Sequence, residues 1–233
     1  LFSPAAAVSA RFAQEADMIN EVSWESIQFL LESARWTVVL SLIVFVTGGL
    51  AGFVVALLRT ARSPVLRYGS AVYIQIIQGT PVLIVLFLTY YGLAIFGLKL
   101  APMVAAGTAM TIYCSAYLGE IWRGCIEEVH AKQWEASGAL GMNRYQQLRH
   151  IILPQALRHS LPPTVGFMVQ VIKNTSITSI IGVVELTRAG QLINNSTFQP
   201  FIIFPVVALL YFAMCYPLSR YSQSLERKFH AHR

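Results

Sequence analysis

Long stretches without a single charge constrain this chain more than any other feature. Trp36 to Leu58 carries no Asp, Glu, Lys or Arg and is about long enough, at roughly 1.5 Å per residue, to cross a bilayer core. Inside lipid the backbone must satisfy its own hydrogen bonds, so such a run reads as a helix. Tyr68 to Leu98 is also uncharged but exceeds one straight crossing, and it holds Gln75, Gln78, Gly79 and Pro81. A helix that breaks near Gly79 to Pro81 and resumes as a second span is predicted. Further spans are expected from about Ala101 to Trp122, from about Pro162 to Val184, and in the later part of the uncharged Ala189 to Ser219 run, from about Phe201. With 55% hydrophobic and 12% charged residues and a mean hydropathy of +0.57, the fold class is an all-α membrane protein with about five transmembrane helices.

The charges between the runs set the orientation. Three Lys or Arg follow the first span, five lie from Arg123 to Arg158 and four in the tail, against Arg11, Arg35, Lys99 and Arg188 on the other side. Twelve against four places the N-terminus outside and the C-terminus inside. The net charge of +6 is spread between apolar segments and so reads as a topology signal, with no nucleic acid partner. Residues 1–35 form an outer-face leader, with an amphipathic helix expected over Asp17 to Glu32; 36–220 form the membrane domain, with a cytoplasmic loop at 129–160; and 221–233 form a basic tail. The opening LFSPAAAVSARF lacks the basic and long apolar regions of a signal peptide. Cys114, Cys125 and Cys215 are too widely spaced for a C-x-x-C pair and read as structural thiols, with no metal site.

Within the inner loop lies a polar, helix-patterned island, Gln133 to Pro154. Glu135 suits the first turn of a short helix that Gly141 ends. Asn143 and Gln146 have capping-box spacing for a second helix, which Pro154 should stop. Ala136, Ser137, Gly138 and Ala139 are small enough for another protein to approach the backbone closely. That favours docking over catalysis.

The island resembles the EAA loop of ABC importer permeases. GTP at Gly79 to Pro81, AYLGEIWRG at Ala116 to Gly124, LPQAL at Leu153 to Leu157, LPP at Leu161 to Pro163 and KNTSI at Lys173 to Ile177 narrow the resemblance to the polar amino acid subfamily, which includes histidine, glutamine, arginine and glutamate permeases. The likeness covers nearly everything after Trp36; Ser137 replaces a usual alanine, Lys132 a usual glycine and Gln78 a usual arginine. It implies a subunit in the bacterial inner membrane that works with two cytoplasmic ABC ATPase subunits, a second permease subunit and an extracytoplasmic solute-binding protein. It also implies that Gln133, Trp134, Glu135, Ala136, Ser137, Gly138, Ala139, Leu140 and Gly141 couple the permease to the ATPase. None of the four lysines follows a glycine, so the chain has no P-loop, no cofactor of its own and no catalytic residue; ATP and Mg belong to the partner ATPase.

Lys173 is the only lysine well inside an apolar run, and with Asn174, Thr175 and Ser176 it could meet the carboxylate and ammonium of an amino acid. The alternative is that Lys173 pairs with a neighbouring helix or snorkels. Family members often carry aspartate where Asn174 stands, so the substrate is expected to be neutral or acidic. Glu120 with Arg123, and Glu185 with Arg188, have the spacing of structural ion pairs or gates. Two rival readings are a membrane-embedded enzyme using Glu120, Lys173 and Glu185, and an ATP-independent carrier.

Overall fold

The computed structural model describes residues 23–230. It is helical throughout, and two of its helices, α1 (Trp24–Arg59) and α8 (Pro200–His230), are each long and apolar enough to cross a membrane. Two bent pairs reach the same mark if each counts as one span.

Helix α1 begins at Ser23, whose hydroxyl accepts the Ser26 N–H, and runs unbroken to Arg59. The boundary drawn at residue 35 therefore falls inside a helix. The expected amphipathic helix survives only as the first turns of α1, with residues 17–22 outside the described part. No Gly or Pro interrupts Trp24 to Trp36, so nothing stops propagation. Leu30 is buried with Leu186, Ile193 and Ile203, holding this end against the later helices.

The centre of the bundle is the crossing of α1 with α4 (Pro102–Glu128). Glycines make it close. A Cβ added at Gly48 would meet Cys114 Cβ at 2.5 Å, one at Gly52 the Leu118 Cβ at 3.0 Å, and one at Gly119 the Val55 side chain at 2.7 Å. The small-residue spacing of Gly48 with Gly52, and of Ser115 with Gly119, thus packs the two backbones together. The opposite face of α1 shows Leu42, Ile43, Val46 and Leu50 to the surroundings, as a lipid-facing helix does. Helix α4 is 27 residues long yet less apolar than α1, because much of it faces protein: Ala105, Ala106, Ala109, Met110 and Leu118 are buried.

The predicted break is present. Helix α2 (Pro64–Gln78) ends at Gly79, Pro81 starts α3 (Val82–Phe87), and the chain turns by 102° between α2 and the segment that ends at Ile95. That segment continues through a π turn, Leu88–Gly92.

Pro154 does not stop the second island helix. Arg144–Gln146 passes through a π turn, Gln147–Ile152, directly into α6 (Leu153–Asn174). Pro154 sits in the first turn of α6, where a missing N–H costs little, and the wider π turn relieves the clash of its ring with the preceding carbonyls. Pro162 and Pro163 are also inside α6, and Ser222 of α8 donates to the Pro162 carbonyl at 2.8 Å. A 3-10 turn, Thr175–Ile181, closes at left-handed Gly182 (φ 89°), and α7 (Leu186–Thr197) leaves at 48°. Helix α8 runs past the boundary drawn at residue 220, so the described part of the tail extends a span.

Candidate functional site

The island forms a short helix held to the bundle on one side. Helix α5 (Ala131–Ala139) starts earlier than predicted, because His130 Nδ1 accepts the Lys132 N–H at 3.4 Å and Ala131 to Gln133 are ready helix formers. Glu135 therefore lies mid-helix, not in the first turn. Gly141 ends it at φ 75°, with its N–H on the Gly138 carbonyl at 3.0 Å and the Met142 N–H on the Ser137 carbonyl at 3.2 Å, the paired bonds of a Schellman motif. The capping box is formed: Asn143 Oδ1 accepts the Gln146 N–H, and Gln146 Oε1 accepts the Asn143 N–H, both at 2.9 Å.

Three contacts anchor α5. Trp134 packs into a cluster with Cys125, Ile126, Val129, Ile152 and Ala156, which joins the end of α4 to the start of α6. The Arg144 guanidinium stacks on the Trp134 ring, 3.6 Å from its centroid. Burial, and then the neighbouring Arg62 charge, lower the Arg144 pKa from its ordinary value. Ser137 is buried and donates to the Gln133 carbonyl at 2.7 Å, while buried Gln147 reaches the Trp134 carbonyl at 3.4 Å. A Cβ on Gly138 would come within 3.2 Å of the Gln147 amide.

The other side of α5 is open. Gln133, Glu135, Ala136, Gly138, Ala139 and Gly141 are exposed, and Leu140 is 81% exposed. Of the nine predicted residues, Trp134 and Ser137 hold the helix to the bundle and the other seven present it.

A buried seam of polar and aromatic side chains lies between α4 and α6. Asn174 is buried and accepts from Gln170 Nε2 at 3.1 Å, and Tyr113 is buried beside the Tyr117 ring. Tyr117 and Phe167 stack at 5.4 Å between centroids, and Tyr113 lies 4.5 Å from Tyr117. The Tyr117–Phe167 stack joins two helices and so leaves no local signal in the sequence.

The four predicted substrate residues do not converge. Lys173 is exposed, Thr175 is fully buried with its hydroxyl on the Ile172 carbonyl, and the Ser176 hydroxyl donates to the Lys173 carbonyl at 2.6 Å. Only Asn174 joins the seam.

Glu120 and Arg123 pair as predicted, with Arg123 Nη2 on Oε1 at 2.6 Å and Nε on Oε2 at 2.9 Å; Arg123 also holds Glu127. Glu185 and Arg188 do not form the expected side-chain pair. Glu185 is fully buried as the N-cap of α7, accepting the Thr187 and Arg188 N–H groups at 3.0 and 2.9 Å and the Tyr211 hydroxyl at 2.7 Å, while the Arg188 side chain reaches Gln191. The N-cap position explains the change: Glu185 satisfies orphan backbone donors instead of a neighbouring cation. Thr37 of α1 accepts the Leu186 N–H at 3.1 Å, tying the same corner to the first helix. No cluster of three His, Cys, Asp or Glu side chains suited to a metal ion occurs among the described residues.

With this geometry in place, comparison with known proteins is decisive. A family model for the inner membrane component of binding-protein-dependent transport systems matches residues 48–230. The chain belongs to this family. It is 30% identical over 222 residues to the probable amino-acid ABC transporter permease protein YckA of Bacillus subtilis (strain 168), covering 91% of this chain and 98% of that one. It is 35% identical over 207 residues to the glutamine transport system permease protein GlnP of Escherichia coli (strain K12), covering 88% of this chain and 94% of that one. Its fold matches a chain in the crystal structure of an amino acid ABC transporter with histidines at a TM-score of 0.82 and 30% identity, over 90% of this chain and 100% of the other. It is thus an ABC importer permease of the amino acid group, an inner-membrane subunit and not the ATP-hydrolysing one.

Proposed function

We propose that this permease lets a neutral amino acid through the membrane and that α5 is the part on which a separate ATPase pulls. The observation that carries the proposal is the division of α5 into an anchored face, Trp134 and Ser137, and an open face ending in Leu140. An exposed leucine beside small side chains has no folding role of its own and suits a partner's cleft. The partners are two cytoplasmic ATPase subunits that bind ATP and Mg, a second permease subunit and an extracytoplasmic solute-binding protein.

In this reading five spans cross the membrane: α1, the bent α2–α3 pair, α4, the stretch from about Pro162 to Val184 that begins in α6, and α8. The N-terminus lies outside, and α5 faces the cytoplasm. ATP-driven closure of the ATPase pair displaces α5, and Trp134 carries the displacement to α4 and α6 together. Those helices hold Tyr113, Tyr117, Phe167 and Asn174, so the seam opens alternately to either side. Asn174, neutral and hydrogen-bonded, supports a neutral substrate, and so does the likeness to a permease named for glutamine. Lys173 keeps its exposed ammonium for a substrate carboxylate in the space between two permeases. Glu120, Lys173 and Glu185 lie in three separate surroundings, which gives the enzyme reading no site.

ATP-dependent uptake into proteoliposomes holding the whole transporter tests the proposal. Glutamine uptake that needs ATP and falls at least tenfold in Lys173→Ala, with an assembled complex, is expected. Asn174→Asp is expected to shift selectivity toward cationic amino acids. Uptake that survives ATP removal, or an unchanged selectivity profile in Asn174→Asp, contradicts it.

A further inference from the structure

One cavity gathers more cations than anions. It measures about 340 Å³ and is lined by Arg59, Arg67 and Arg144, with Thr60, Trp134 and Glu127. Arg123 holds Glu127, which lines the cavity, and shares Glu120 with Arg59. Glu120 lies 3.9 Å from Arg59 Nε, which is buried and has no hydrogen-bond partner. Among the described residues Arg67 and Arg144 have no ion pair; each lies over an aromatic ring, Tyr68 at 5.5 Å and Trp134 at 3.6 Å. Arg62 adds a further like charge close to Arg144. Guanidinium forks so arranged match the oxygens of a phosphate.

A second observation says what carries that phosphate. Ile126 walls the cavity and also an apolar cleft of about 80 Å³ lined by Phe53, Trp122, Leu153 and Leu157. Val65, Leu66 and Tyr68, beside the arginines in the chain, are exposed. The cavity sits at the charged end of α1, where an apolar span meets the membrane surface. We propose that the Arg59, Arg67 and Arg144 cavity binds the phosphate of an anionic phospholipid headgroup, with the first methylenes of an acyl chain against the adjoining cleft. The lipid would steady Trp134 and Arg144, and hence α5, from below. The proposal rests on the chain being a membrane permease and not on α5 docking an ATPase.

Native mass spectrometry of the intact transporter, titrated with phosphatidylglycerol and with phosphatidylcholine, reads lipid retention directly and independently of transport. The parent is expected to hold phosphatidylglycerol at least fivefold more tightly than phosphatidylcholine. Arg67→Gln with Arg144→Gln is expected to lose that preference, while Arg220→Gln with Arg227→Gln in α8 retains it. If the glutamine pair does not assemble, Arg67→Lys with Arg144→Lys keeps the charge and removes the planar forks, and a severalfold weaker retention is expected. Equal retention in parent and cavity variants overturns the site. Inorganic phosphate that raises the melting temperature of the complex as much as phosphatidylglycerol does makes a free anion the occupant and overturns the lipid assignment.

Discussion

Small residues gather in two regions of this permease and are used in opposite ways. At the α1–α4 crossing Gly48, Gly52 and Gly119 are covered by the neighbouring helix, and any added Cβ meets an atom within about 3 Å. On α5 Ala136 and Ala139 are exposed, Gly138 is exposed with only the Gln147 amide near its added Cβ, and only Ser137 is buried. The same sequence device thus marks one interface completed within the chain and one left open by it. Bulk should therefore cost stability at the first and partner binding at the second.

Gly48→Leu should have the largest effect. The Cβ alone collides with Cys114, so overpacking of about 3 kcal/mol or more is expected, read as a lost or strongly lowered thermal transition of the purified complex. Tyr211→Phe comes next. It removes the hydroxyl from fully buried Glu185 and leaves that carboxylate one donor short, for a loss of about 1–3 kcal/mol in the same melting experiment. Asn143→Ala breaks the capping box at the end of the open region and should cost about 1 kcal/mol. Hydrogen exchange should show the effect confined to Arg144–Ile152. Leu140→Ser should be the smallest, within about 0.5 kcal/mol in stability, because the side chain touches little of its own chain. If Leu140→Ser melts as low as Gly48→Leu, the contrast between the two regions is wrong.

The first helix of that crossing was legible in the sequence, because an uncharged run long enough to span a bilayer core states it. The break at Gly79 to Pro81 was legible for a similar reason: backbone chemistry there is local. The capping box and the Gly141 stop could also be read from residues three or four apart. What could not be read depends on partners distant in sequence. Glu185 became a buried cap under Tyr211, 26 positions away, and no i, i+3 rule reveals that. Pro154 was misread because a π turn before it absorbed the clash. Asn174 and Lys173 are adjacent in sequence, yet one faces the seam and the other is exposed, which the helical rotation of about 100° per residue permits and local composition does not disclose.

The measurement that tests the central claim most directly is co-purification of the cognate ATPase with Glu135→Lys, alongside the melting temperature of the permease. Loss of at least tenfold in ATPase affinity with an unchanged melting temperature is predicted, since Glu135 is exposed on the open face of α5. ATPase retained at the parent's affinity, with full ATP-driven uptake, would contradict the assignment of α5 as the coupling helix.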